Sequence, residues 1–292
     1  MTDIQHTPLI PIGFNVRLFP NLWRPAREDI AFAGAHGFGS MQFPTLNRGL
    51  DADMLGDSID VVAKALHQAN IVAVMEIVVR VDETGLTTSG LTPLDVLEAN
   101  LPAITTFPCA CVHWHLVSAK TDAAIVHALE TQLIPQFAAA VELAQKHNVR
   151  FGFEHNALAP GFFADPEQCV MLLEAVPGLG FVWDLNHTPP DRLSDHLALV
   201  PYLTMLHVSD TPLPTVNHHL PLGLGTINFV DYFHELLRRG FRGPAILEIG
   251  GHPDSGGFGR DTDETLIDSR MRLAKAIAAA SRRQTDGDTA VE

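Results

Sequence analysis

Positive charge is scarce in this chain: 19 Lys and Arg stand against 34 Asp and Glu, a formal net charge of −15 over 292 residues. A protein that tracks a phosphate backbone carries the opposite excess, and no Lys/Arg run offers a local patch. Nucleic acid is therefore not an expected partner. Cysteine is scarce too. Cys109, Cys111 and Cys169 do not make a disulfide framework, and Cys109-Ala110-Cys111 lacks the two-residue spacer of common zinc and redox motifs. They read as buried free thiols in a reducing compartment. No uninterrupted apolar run reaches membrane-spanning length, and no basic segment followed by an apolar stretch opens the chain, so no membrane association and a cytoplasmic setting are expected. No Gly-x-Gly-x-x-Gly follows the first apolar run, so the dinucleotide fingerprint is missing. Neither an internal repeat nor a domain-splitting linker is visible.

What the chain does have is a succession of short apolar runs bounded by turn residues, with helical patterns between most of them. The runs are Ile10–Leu18, Ser40–Phe43, Ile71–Val79, Ala110–Val117, Val149–Glu154, Phe181–Asp184, Leu203–Val208 and Ala245–Ile249. They read as buried parallel strands. Helices are expected over Pro25–His36, Asp51–Ala69, Pro93–Asn100, Asp122–His147, Pro166–Val176, Arg192–Val200, Phe229–Arg239 and Asp263–Ser281. Asp165-Pro166 is a cap followed by a first-turn proline, and Arg239-Gly240 is a basic last turn with a glycine stop. Eight rounds of alternation favour an α/β fold with a single (β/α)8 TIM barrel over an open doubly wound sheet. The barrel is expected over residues 1–283, with 284–292 a polar, aperiodic and disordered tail.

Four of these runs carry, at or one residue before their end, a side chain that can bind a cation: Glu154, Asp184, His207 and Glu248. Each alone has an ordinary structural explanation, such as a strand-end Glu bonded to loop amides or an Asx turn at Asp184. Together, at one end of a parallel barrel, two Glu, one Asp and one His make a hard, oxygen-rich site for a divalent metal. Asp184-Leu185-Asn186-His187 places His187 on the following loop, in reach of a substrate or a second metal. Asp210, just past His207, reads as a loop-orienting cap. His115 ends Cys111-Val112-His113-Trp114-His115 and is a further pocket candidate, whereas His113 is read as pointing away from the barrel interior. Arg17, after the first strand, suits a carboxylate or phosphate, or an ordinary loop salt bridge. Trp23 and Trp114 suit an apolar wall of a pocket, though packing is the commoner role for each.

Phe153-Glu154-His155-Asn156, Val182-Trp183-Asp184-Leu185-Asn186-His187, Leu206-His207-Val208-Ser209-Asp210, the stretch from His219 to Phe229 and Leu247-Glu248-Ile249, in that order, resemble the xylose isomerase-like TIM barrel superfamily of sugar isomerases and epimerases. The resemblance implies one divalent ion (manganese, cobalt or magnesium, with zinc also compatible) held by Glu154, Asp184, His207 and Glu248. It also implies that Glu154 and Glu248 are the proton-transfer acid and base, that His187, His115, His219 and Arg17 face the substrate, and that the substrate is a small sugar or sugar-like molecule. Related barrels pair through their helices, so a homo-oligomer is compatible with it. The chain departs from the pattern at Gly223-Leu224-Gly225, where relatives carry Gly-Glu-Gly. The proline-containing loop from His207 to His219 has no Arg or Lys, which disfavours a phosphate clamp there. Three other activities use similar parts. Metal-dependent dehydration of inososes or dehydroshikimate begins with the same proton abstraction. Multi-zinc abasic-site hydrolysis is disfavoured by Asn217 where that pattern has an acid, by the lack of a His in Met41-Gln42-Phe43-Pro44 and by the net charge. A non-catalytic sugar-binding barrel is disfavoured by the presence of all four ligand types.

Overall fold

The computed structural model describes residues 10–16, 24–120, 122–157, 161–251 and 253–288. Eight parallel strands, β1 (Ile12–Asn15), β2 (Ser40–Leu46), β3 (Val72–Val81), β4 (Cys109–Ser118), β5 (Arg150–Glu154), β6 (Gly180–Asp184), β7 (Leu203–Val208) and β8 (Ala245–Leu247), pair in chain order, and β1 closes on β8. The outer ring comprises α1 (Ala26–Ala35), α2 (Ala52–Leu55), α3 (Ile59–Ala69), α4 (Pro93–Thr106), α5 (Ala123–Lys146), α6 (Pro166–Ala175), α7 (Leu193–Ala198), α8 (Phe229–Arg238) and α9 (Asp263–Asp288). Among the described residues, no helix is long and apolar enough to cross a membrane.

Local chemistry sets the helix ends. Thr92 and Asp95 form a capping box around Pro93, and the Asp122 carboxylate accepts from the amides of Ala124 and Ile125. The helix expected over Asp51–Ala69 is broken in two. Gly56 takes a left-handed φ of 66°, and Ser58 caps the new start by accepting from Val61 N–H. Helix α4 outruns its expected end at Asn100 and passes through Pro102, which lies on the exposed side where a carbonyl left unbonded can meet water. The helix expected over Arg192–Val200 is shorter, with 3-10 turns on both sides of α7. The assignment of 284–292 to a tail is corrected over its first part, because α9 continues to Asp288. Arg282, Arg283 and Gln284 favour helix intrinsically and extend one already nucleated without needing an apolar face. Residues 289–292 lie outside the described ones.

The main core lies between sheet and helices. Trp114 packs edge-on against Phe137 and Phe151, and Phe137 meets Phe153 and Phe163 in the same manner. Full burial of such side chains contributes about 1.5–3 kcal/mol each. Trp114 therefore faces the helices, and of its two readings packing holds. Trp23 lies outside the described residues.

A second, separate cluster of Val74, Cys111, Val182, Met205 and Ile246 fills the barrel interior. With them at this level belong Gly13, Ser40 and Gly152, where the register gives little room: a Cβ on Gly13 would lie 2.4 Å from the Ser40 carbonyl oxygen. Burial pushes the Cys111 thiol up to about 12, so it is an uncharged part of this floor. Alternation of period two decides what lies above it. Two residues further along the eight strands come Asn15, Gln42, Glu76, His113, Glu154, Asp184, His207 and Glu248. An apolar layer thus carries a polar one at the end where the strands finish.

Candidate metal centre

Four of those eight side chains bring ligand atoms together. Glu154 is the last residue of β5, Asp184 the last of β6, His207 lies beside Asp184 in register on β7, and Glu248 follows β8. One ligand atom from each lies within 4.8 Å of the others. His207 Nδ1 is 3.0 Å from Glu154 Oε1 and 3.2 Å from Glu248 Oε2. Glu154, Asp184 and His207 are buried, yet Glu154 Oε2, Asp184 Oδ2 and Glu248 Oε2 receive no aligned hydrogen bond. Buried carboxylate oxygens without donors are costly unless a cation takes the donor's place. Three carboxylates and one imidazole form the hard, mostly oxygen set that suits a small divalent ion, so the residues fit such a group.

The electrostatics agree. Burial raises Glu248 well above the usual carboxylate range, and the charges of Glu154, Glu76 and Asp184 add to it against the opposing pull of His207. Burial acts on Glu154 in the same direction, but His115 and His207 outweigh it and hold Glu154 well below that range. His207 shows the converse: burial disfavours its cation, and Glu154 and Glu248 more than compensate, raising it well above the usual imidazole range. Cation-free, the cluster therefore balances its charge with protons; a bound divalent ion would displace them.

The remaining candidates gather around this set. His187 Nε2 is 3.0 Å from Asp184 Oδ2, and its Nδ1–H donates to the His155 carbonyl at 3.2 Å. His219 stands next to it, ring centroids 5.6 Å apart, with Nδ1 3.1 Å from the Glu248 carbonyl and Nε2 2.8 Å from Asn217 Oδ1. On the other side, His115 Nδ1 is 3.3 Å from both Glu76 Oε1 and Glu154 Oε2. Burial would lower His115, but those carboxylates prevail and raise it to about 10. Arg17 lies outside the described residues. Asp210 plays the loop-orienting role read for it, accepting from the amides of Thr211, Gly223 and Ile227. Gly225 has no room for a Cβ, which would come within 2.3 Å of Asp210 Oδ1, and between the two glycines Leu224 is exposed.

The reading of His113 is corrected. It is fully buried inside the barrel, 3.8 Å from Glu154 Oε2 and 5.4 Å ring-to-ring from His207. Period-two alternation puts residues 113 and 115 on one face, not opposite ones. Burial lowers His113 to about 4, so it is neutral. Asn15, Gln42 and Glu76 were not anticipated at all. Glu76 carried a usable signal, as a carboxylate in the middle of the apolar run Val72–Val81, which has to face a polar lumen. Gln42, uncharged between Met41 and Phe43, carried a weaker one.

A family model described as xylose isomerase-like TIM barrel matches residues 30–277. Among solved structures the chain is similar to a xylose isomerase-like TIM barrel/4-hydroxyphenylpyruvate dioxygenase fusion protein at 19% identity and a TM-score of 0.67; the match covers 96% of this chain and 45% of that one, so the chain spans less than half of the fusion protein. It is similar to the D-allulose 3-epimerase of Methylomonas sp. in complex with D-allulose, at 13% identity and a TM-score of 0.72, over 91% of this chain and 97% of the other. It is similar to the IOLI protein with a bound zinc atom, at 14% identity and a TM-score of 0.70, over 92% and 98% of the two chains. At these identities the likeness is one of fold. No curated protein matches the chain.

Proposed function

Because the chain belongs to the xylose isomerase-like TIM barrel family, we propose that it is a divalent-cation-dependent isomerase or epimerase of a small ketose, aldose or hydroxy-keto acid. The observation that carries this reading is the convergence of Glu154, Asp184, His207 and Glu248 within 4.8 Å at the end where the strands finish, the end at which barrels of this kind hold their active sites. The sugar-bound and zinc-bound neighbours support it.

Glu154, Asp184, His207 and Glu248 would hold the cation, which when bound polarises a substrate carbonyl and stabilises the enediolate. Glu154 and Glu248 provide two carboxyl groups for proton transfer: one takes the proton from carbon, and the other, or the same one, returns a proton at the neighbouring carbon or the opposite face. His187 and His219 stand on one side of the cluster and His115 on the other; His115, whose Nδ1 faces Glu76 and Glu154, has Nε2 left to donate to a substrate hydroxyl, and His187, whose Nδ1–H is given to the His155 carbonyl, has Nε2 left to accept from one. Among the described residues, the groups around the site other than these imidazoles are neutral or acidic.

Two linked measurements test the reading. Protein loaded with Mn²⁺, Co²⁺, Mg²⁺ and Zn²⁺ and then desalted should retain about one divalent ion per chain, and Asp184→Ala should lose it. A screen of ketoses in deuterium oxide should then give carbon-bound deuterium in a product of unchanged formula. Product that has lost water would turn the assignment to a lyase. Two or three zinc ions with no deuterium uptake would sink it.

A further inference from the structure

Gln42 is fully buried on β2 and is not one of the four ligands, yet it touches His207 directly. Its amide nitrogen is 2.6 Å from Asn15 Oδ1 and 2.9 Å from Glu76 Oε2. Asn15 is oriented in turn, since its own amide nitrogen faces Glu248 Oε1 at 3.5 Å. Both N–H groups of Gln42 are thus committed to oxygens, and a flipped amide would set its oxygen against two others. Gln42 Oε1 consequently faces His207 Nε2, at 2.9 Å. An amide oxygen only accepts, so His207 Nε2 must carry the proton. In a neutral imidazole that leaves Nδ1 as a lone pair directed at the gap between Glu154 Oε1 and Glu248 Oε2.

We infer that Gln42, oriented by Asn15 and Glu76, is a positioning residue that holds His207 in the Nε2–H form and so makes Nδ1 the cation-binding atom. The inference rests on the reading that the four-residue cluster binds a divalent ion. Its logic is that of partners behind a metal-bound histidine, which set the tautomer and ring orientation, and whose loss typically weakens metal binding 10- to 100-fold. Leu in place of Gln42 keeps similar bulk and removes the acceptor. Among the described residues no other acceptor is hydrogen-bonded to Nε2, so the ring is then free to turn or to change tautomer.

The test uses two readouts, neither of them turnover. In Zn²⁺-loaded wild-type protein labelled with ¹⁵N-histidine, long-range ¹H–¹⁵N spectra should show His207 protonated at Nε2 and ligated at Nδ1. Titration with Mn²⁺, followed by the resonance of the free ion, should give a Kd about 10- to 100-fold weaker for Gln42→Leu than for wild type, with the far-ultraviolet dichroism unchanged. Ligation through Nε2 in the wild type would overturn the inference even if the variant does not fold. A folded Gln42→Leu that binds Mn²⁺ as tightly as wild type would overturn it and leave the cation site standing. Failure of the wild type to bind any cation would bring down both.

Discussion

The two layers inside the barrel are only two residues apart along each strand, and they are built on opposite principles. The lower one, with Val74, Cys111, Val182, Met205 and Ile246, is apolar and closely filled, with glycine where neighbouring strands leave no space. The upper one, with Asn15, Gln42, Glu76, His113, Glu154, Asp184, His207 and Glu248, is polar throughout and leaves several buried atoms without an aligned hydrogen bond. The same strands position both. The lower layer contributes to folding what the upper layer withholds, since buried carboxylates and imidazoles are retained here at a cost to stability.

Substitutions in each layer should therefore separate activity from stability. In the upper layer, Glu248→Gln should lower turnover of an accepted ketose by about 10²- to 10⁴-fold, the usual size of a lost proton-transfer group. The cation-free variant should unfold in urea at or above the wild-type midpoint, because burial already disfavours the charge on Glu248. Turnover within tenfold of wild type would refute its role as acid or base. In the lower layer, Ile246→Ala should cost about 2–5 kcal/mol of unfolding free energy, as for other buried side chains cut back to Ala. A cost below about 1 kcal/mol would mean that the floor is not closely packed.

The smallest expected effect is the pH dependence that His113 contributes from the upper layer. His113 sits at about 4 when folded and near 6.5 when unfolded. Its contribution to stability is full above pH 6.5 and is lost as the pH falls toward 4, because the unfolded chain takes up a proton that the folded chain refuses. The loss is on the order of 1 kcal/mol per pH unit. His113→Met should flatten the slope of urea midpoint against pH over that window by about one proton. Equal slopes would show that His113 is protonated in the folded barrel.

The sequence made the four candidate ligands legible because each stands at or next to the end of a short apolar run just before a turn, where a carboxylate or imidazole stands out. The barrel followed from the eight-fold alternation. Helix breaks were harder to see: Leu55-Gly56-Asp57-Ser58 contains a stop and a start, but the apolar pattern on either side reads as continuous. The rest of the upper layer was hidden for a different reason. Strands β2, β3 and β4 run past the site, to Leu46, Val81 and Ser118, so Gln42, Glu76 and His113 lie inside their strands and not at their ends. Register, which only pairing reveals, is what aligns them with Glu154 and His207.

Polar contacts of this layer, joined by His115 from two residues further along β4, form a closed circuit: His207 to Gln42, Gln42 to Glu76, Glu76 to His115, His115 to Glu154, and Glu154 back to His207. Each member has two neighbours in the loop, so altering one disturbs the environment of both. The five positions should show strong epistasis: double substitutions will not add, and a lineage that changes one will tend to change a second. A substitution in an outer helix is felt locally, but this circuit should respond to substitution as a unit.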